Sequence, residues 1–244
     1  MKKKRVGKVI VLVLLVFALL IGCGYAYLYN NGLSGKSIVT QPQEGQIRVA
    51  CVGDSITYGH GINGWSKNNY PVLLQGLLGE DYHVQSFGVS GRAVQDSSDQ
   101  PYRALRHYQD SLAYDADILV FMMGSNDSKP ENWMGREAFE AALRDLLDDY
   151  SAEQVILCTP AKAFFAEGFT DNLTSHDIQP VIVDEIADIV RSVAGERGDI
   201  LLDIHSLTAG NRQWFAKDGV HPDNTGAAAI AQAVHDAVLD LCAQ

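Results

Sequence analysis

Four short stretches of this chain hold the side chains that acyl transfer needs. Gly53-Asp-Ser-Ile-Thr-Tyr-Gly59 places Ser55 in a glycine-bounded turn, and Asp218-Gly-Val-His221 sets a carboxylate three residues before an imidazole. Between them lie Gly88-Val-Ser-Gly-Arg92, which offers glycine amides, and Gly124-Ser-Asn-Asp127, which offers a carboxamide. A serine hydroxyl is a weak nucleophile until a neutral imidazole accepts its proton, and a carboxylate on the other ring nitrogen fixes the tautomer that can do so. Amides and carboxamides are the donors that stabilise charge developing on a carbonyl oxygen. Each stretch alone is weak evidence, because a Gly-Asp-Ser turn arises by chance and a lone serine is more often a helix cap.

The elements that must position these residues are legible as alternating patterns. Five β-rich runs occur at Ile47–Val52, Tyr82–Phe87, Asp117–Met123, Gln154–Thr159 and Ile200–Ile204. Helical spacing joins Phe139, Leu143, Leu146 and Tyr150, then Ile182, Ile186, Ile189 and Val193, and finally Ile230, Val234, Val238 and Leu241. Strands alternating with amphipathic helices imply an α/β fold, a three-layer α/β/α sandwich on a central, mostly parallel five-stranded sheet. In such sheets ligands bind beyond the carboxyl ends of the strands. The first three chemical stretches directly follow the first three runs, and Asp218–His221 comes fourteen residues after the fifth. One sheet edge therefore gathers all four.

In kind, order and spacing these blocks resemble the GDSL hydrolases, also called SGNH hydrolases after their Ser, Gly, Asn and His blocks. The resemblance covers essentially all of 47–244 and implies a flavodoxin-like fold and a serine esterase. Residue by residue it implies that Ser55 is the nucleophile, His221 its base and Asp218 the orienting carboxylate. It further implies an oxyanion hole made of the Ser55 amide, the Gly91 amide and the Asn126 side chain. One departure is Ser86, where many members of the family carry Asn; a structural role is expected there. No metal or organic cofactor is implied. Asp54 and Asp127 are read as loop-tying residues, and His60, His83, His107, His176, His205 and His235 as surface or packing residues. Gly59-His-Gly-Ile-Asn-Gly64 formally matches GxGxxG, but it lies beyond the first strand and no acidic residue ends the second, so dinucleotide binding is set aside. The GxSxG elbow of the α/β-hydrolases is absent.

Outside the blocks, the first thirty of the 244 residues differ from the rest. Met1-Lys-Lys-Lys-Arg5 and Lys8 are basic, and Val9–Tyr29 carries no charged side chain. Positive charge before an apolar run long enough for a bilayer predicts export with a single-pass signal anchor at 1–29, the catalytic part lying outside the cytoplasm. Lipidation at Cys23 of Leu20-Ile-Gly-Cys23, or secretion after cleavage, are the alternatives. A polar stretch, 30–46, reads as a flexible tether, and 47–244 as one catalytic domain. Without its five leading cations the net charge goes from −11 to −16, which argues against nucleic acid or anionic lipid as partners. Cys51, Cys158 and Cys242 give no disulfide or zinc pattern.

Asn69-Tyr-Pro71, Gly88-Val-Ser-Gly91 and Asn126-Asp-Ser-Lys-Pro-Glu-Asn-Trp133 resemble most the bacterial carbohydrate acetyl esterases, which implies as expected substrate a short acyl ester, O-acetyl above all, on a glycan; a lysophospholipid or short-chain lipid ester is the alternative. A glycan-binding domain on a decayed hydrolase scaffold is a third reading, against which Ser55, Asn126 and His221 all stand intact. Trp65, Trp133 and Trp214 follow or precede the motif loops and are expected as sugar-stacking faces. The long Pro160–Asp177 connection, with Phe164 and Phe165, is expected to shape the acyl pocket.

Overall fold

The computed structural model describes residues 2–30, 37–165, 174 and 176–242. In chain order the helices and strands are α1 (Lys2–Asn30), β1 (Ile47–Gly53), α2 (Ser55–Tyr58), α3 (Trp65–Asn68), α4 (Tyr70–Leu78), β2 (Tyr82–Ser86) and α5 (Arg106–Ala113). They continue with β3 (Ile118–Met122), α6 (Arg136–Asp148), β4 (Gln154–Cys158), α7 (Pro180–Arg197), β5 (Ile200–Leu202), α8 (Ile204–Ala209) and α9 (Asn224–Cys242). All five expected strands are present, and they form one sheet in the order β2-β1-β3-β4-β5, every neighbouring pair parallel.

Alternation along the central strands explains the three layers. Val49 and Cys51 of β1, with Ile118, Val120 and Met122 of β3, face one side and pack with Tyr70 and Leu74 of α4 and Ile230 and Val234 of α9. Ala50 and Val52, with Leu119 and Phe121, face the other and meet Phe139, Leu143 and Leu146 of α6 and Ile186, Ile189 and Val193 of α7. A strand covered on both faces is apolar at every position, and β3 is buried throughout. Leu143 is 1% exposed, so Leu143→Ala should cost about 2–5 kcal/mol.

Register then places the chemistry. Gly53 pairs with Met122, Met122 with Cys158 and Cys158 with Leu202, so four strands end level and their loops leave along one edge. Neighbours β1 and β3 carry their chains onward in opposite directions across the sheet, to β2 and to β4. That reversal opens a crevice between their loops, and Ser55 and Asn126 stand on its two sides.

Two expectations for the N-terminal region differ from what is seen. The run 9–29 is helical within α1, and Ile10, Leu14, Phe17 and Leu20 are exposed. Among the described residues, however, no helix is long and apolar enough to cross a membrane, so the single-pass anchor is unsupported. Of the segment 30–46, residues 31–36 lie outside the described residues, while 37–40 are fastened to β2. The Thr40 amide donates to Gln85 Oε1 at 2.7 Å, and the Ser37 hydroxyl lies 2.7 Å from that of Ser86. Ser86 thus ties this strap and the Gly88 amide, at 3.3 Å, to the strand end.

Candidate active site

Ser55 opens α2 directly after β1. Its predecessor Asp54 caps that short helix, its carboxylate accepting the Ile56 amide at 2.9 Å. A Cβ on Gly53 would meet Thr57 Oγ1 at 2.0 Å and Met122 O at 2.6 Å, so only glycine lets the chain turn this sharply from strand to helix. The Ser55 Oγ lies 2.9 Å from His221 Nε2, and His221 Nδ1 lies 2.7 Å from Asp218 Oδ2. Because an ionised carboxylate only accepts, Nδ1 carries the ring proton. Nε2 is then the acceptor, and the Ser55 hydroxyl donates to it. The other Asp218 oxygen accepts the backbone amides of Val220 and His221 at 2.9 and 3.1 Å. Burial alone would push the Asp218 carboxyl up, but hydrogen bonds from His176 and His221 outweigh it and hold it well below the usual carboxylate range.

The loops after β2 and β3 are knitted into one piece. Asp127, fully buried, accepts the amides of Val94 and Gln95 at 2.9 Å each. Asn132 donates to the Asn126 carbonyl at 2.9 Å, and the Asn126 carboxamide donates to the Arg92 carbonyl at 3.0 Å. That carboxamide also reaches Asp54 Oδ2, but only at 3.4 Å. Gly91 has a φ of +79°, and a Cβ there would press on the Gln100 carboxamide at 3.3 Å; glycine keeps its amide approachable. Burial pushes the Asp127 carboxyl up to about 6, against the amides that favour its charge. The Asp54 carboxyl goes up to about 7, from burial first and the neighbouring Asp127 charge second, with the Ile56 amide opposing.

Ser55, Gly91, Asn126 and His221 line one cleft of about 440 Å³. The expected tryptophans lie elsewhere. Trp65 is 5% exposed and turned into the core, its indole N–H donated to the Tyr58 carbonyl. Trp133 stacks toward Phe139 at 6.2 Å, and Trp214 packs against the α9 side of the core. Trp65 is covered by the protein itself, and Trp133 and Trp214, partly exposed, do not line this cleft. In their place the cleft is lined by Ser90, Gln100, Lys129 and two histidines expected to be surface or packing residues, His60 and His176.

His176 donates to Asp218 Oδ2 at 3.3 Å, the oxygen that His221 also uses. The rings of His60 and His176 lie 4.6 and 4.9 Å from that of His221. Burial, with His221 and His176 nearby, lowers His60 to about 4. The sequence signal for His60 was its place just after the Ser55 turn; for Lys129, its place three residues after Asn126. His176 had none. Its loop is described only in part, 166–173 and 175 lying outside the described residues. Phe164 there packs on Phe215 at 5.1 Å rather than lining the cleft. His176, Asp218 and His221 also place three ligand atoms within 4.8 Å of one another; the hydrogen bonds already made among them account for that cluster.

Comparison with known proteins gives three kinds of match. Residues 51–229 match the GDSL-like lipase/acylhydrolase family. An acetylxylan esterase from Xylanibacter ruminicola is 34% identical over 221 residues, which is 82% of this chain and 45% of that protein, so the chain spans less than half the length of this relative. A carbohydrate acetylesterase family member from Sinorhizobium meliloti superposes with a TM-score of 0.64 at 21% identity, over 79% of this chain and 97% of that one. The aryl esterase of M. smegmatis gives 0.65 at 19% identity, over 80% and 99%. At such identities the structures speak to the fold, which they share.

Proposed function

The chain belongs to the GDSL-like lipase/acylhydrolase family, a family of carboxylic ester hydrolases, and we propose that it removes short acyl groups, acetyl first, from a carbohydrate through an acyl-enzyme on Ser55. The observation that carries this reading is the unbroken chain from Ser55 Oγ through His221, at 2.9 Å, to Asp218, at 2.7 Å. Ser55 Oγ attacks the ester carbonyl while its proton passes to His221 Nε2. The resulting imidazolium is held by Asp218, and the carbonyl oxygen takes hydrogen bonds from the amides of Ser55 and Gly91 and from the Asn126 carboxamide. The long 3.4 Å contact of that carboxamide with Asp54 leaves one N–H free to turn to the oxyanion. Collapse expels the sugar alcohol, which takes the proton from Nε2. Water, deprotonated by the same nitrogen, then releases the acid and restores Ser55.

The substrate class is supported by the acetylxylan esterase relative and by the polar cleft lining, which suits hydroxyl-rich rings better than a long acyl chain. Rates on p-nitrophenyl acetate, butyrate and octanoate test it, together with acetate release from acetylated xylan. Highest kcat/KM on the acetate supports the reading, and undiminished kcat/KM on the octanoate removes it. Export is supported by the basic start and the apolar run of the N-terminal region. Recovery of the active protein from the cytoplasm of its own host would contradict it.

A further inference from the structure

Lys129 lines the cleft three residues after Asn126, its side chain only 13% exposed. Among the described residues its ammonium makes no hydrogen bond, and its one carboxylate neighbour is Asp99 Oδ2, 3.9 Å away. Asp99 is itself committed to Asn132, which donates to its Oδ1 at 2.8 Å. Five arginines, Arg48, Arg103, Arg144, Arg191 and Arg197, each meet a carboxylate at 3.0 Å or nearer; Lys129 has no such partner among the described residues. An ammonium has three donors and no acceptor, and leaving it largely out of water without a close anion is costly unless something else brings the oxygen.

Other groups of the same cleft are also short of partners. The Ser90 hydroxyl and His60 Nδ1 are buried without a hydrogen-bond partner among the described residues, and both residues line the cleft. Asp177 is the one acidic residue among the described lining residues, set against Lys129 and three histidines. The net charge of −11 does not oppose an anion here, because salt screens distant charges over roughly 8 Å. The groups at contact decide.

We propose that the cleft selects esters that carry a carboxylate near the scissile bond, received by Lys129, with uronate-bearing glycans as the substrate class. This deepens the esterase reading above and rests on it. Ser90 and His60 supply the hydroxyl partners that a sugar ring needs, and Lys129 the charge that distinguishes a uronate from a neutral sugar.

The test compares matched substrates on the full chain. One pair is mono-O-acetylated methyl glucuronoside and methyl glucoside, which puts the charge on the sugar. The other is p-nitrophenyl hemisuccinate and p-nitrophenyl butyrate, which puts it on the acyl group. The wild type should prefer the glucuronoside by about tenfold in kcat/KM, the size of a charge-assisted hydrogen bond. The preference should sit mainly in KM and shrink as salt rises toward about 1 M. Lys129→Met should bring the ratio near one, and Lys129→Arg should keep most of it. Equal rates within the sugar pair overturn the proposal, as does a preference confined to the hemisuccinate or a ratio that survives in Lys129→Met. Should Lys129→Met fail to fold, the salt dependence of the wild-type ratio decides in its place. Failure to hydrolyse even p-nitrophenyl acetate would instead sink the esterase reading.

Discussion

The two sides of the cleft are held by different physics. On the Asn126 side, the loops 88–95 and 124–132 are joined by buried hydrogen bonds through Asp127, Gln95 and Asn132, all 3% exposed or less. On the His221 side, the imidazole is held by a carboxylate: Asp218 takes two histidines on one oxygen, and His176 among them is nearly half exposed. The first arrangement fixes positions through buried hydrogen bonds, while the second rests on an exchangeable ring proton and a half-exposed histidine. Substitutions on the first side should therefore act through geometry and folding, and those on the second through proton affinity.

The largest break of that contrast is Asn126→Ala, which removes the proposed oxyanion donor and, with it, one hydrogen bond between the two loops, that to the Arg92 carbonyl. The kcat on p-nitrophenyl acetate should fall by about 10²–10³, against a stability loss of only about 1 kcal/mol for the one hydrogen bond removed. Asp127→Ala strands two buried amides and should destabilise the fold by about 2–4 kcal/mol in urea titration, with activity lost in step. His176→Gln should lower kcat only about three- to tenfold and leave stability alone. The acid limb of its rate profile should move, because Asp218 loses a donor that steadies its charge; an identical pH profile would make His176 a bystander.

Asp54→Asn gives the smallest effect. The raised carboxyl keeps its proton in the fold across pH values where the unfolded chain has lost it, so the native state binds more protons there. Wild-type stability from this group is therefore present at low pH and lost as pH rises from about 4 toward about 7. The variant has no such loss, so its stability relative to wild type should grow over that window, read as a difference in melting temperature. A difference that shrinks with pH would show Asp54 charged and favourably held.

Much of this was legible in the sequence, for reasons that differ by region. The strand runs stand out because parallel strands buried on both faces must be apolar, as Ile118–Met122 is. Their ends were read one or two residues long at Phe87, Thr159 and Ile204, where pairing stops but burial continues. That Ser55, Gly91, Asn126, Asp218 and His221 would gather at one sheet edge was legible because each sits in a short block in a loop beyond a strand. His176 lies 42 residues from Asp218, and only the path of its loop brings the two together. The tryptophans misled because a large ring beside a motif loop serves packing as readily as binding, and Trp65 is held inward through its N–H. Polar composition likewise hid the strap at Ser37–Thr40, whose bonds to Ser86 and Gln85 depend on an edge strand far along the chain.

The central claim is that Ser55 carries the acyl group, and mass spectrometry after brief mixing with p-nitrophenyl acetate at low pH tests it most directly. Deacylation also needs His221 to accept a proton, so acidification should let the intermediate accumulate. An acetyl adduct on the peptide holding Ser55, absent from Ser55→Ala, is the result expected. An adduct on another residue, or full hydrolysis by Ser55→Ala, would contradict the account.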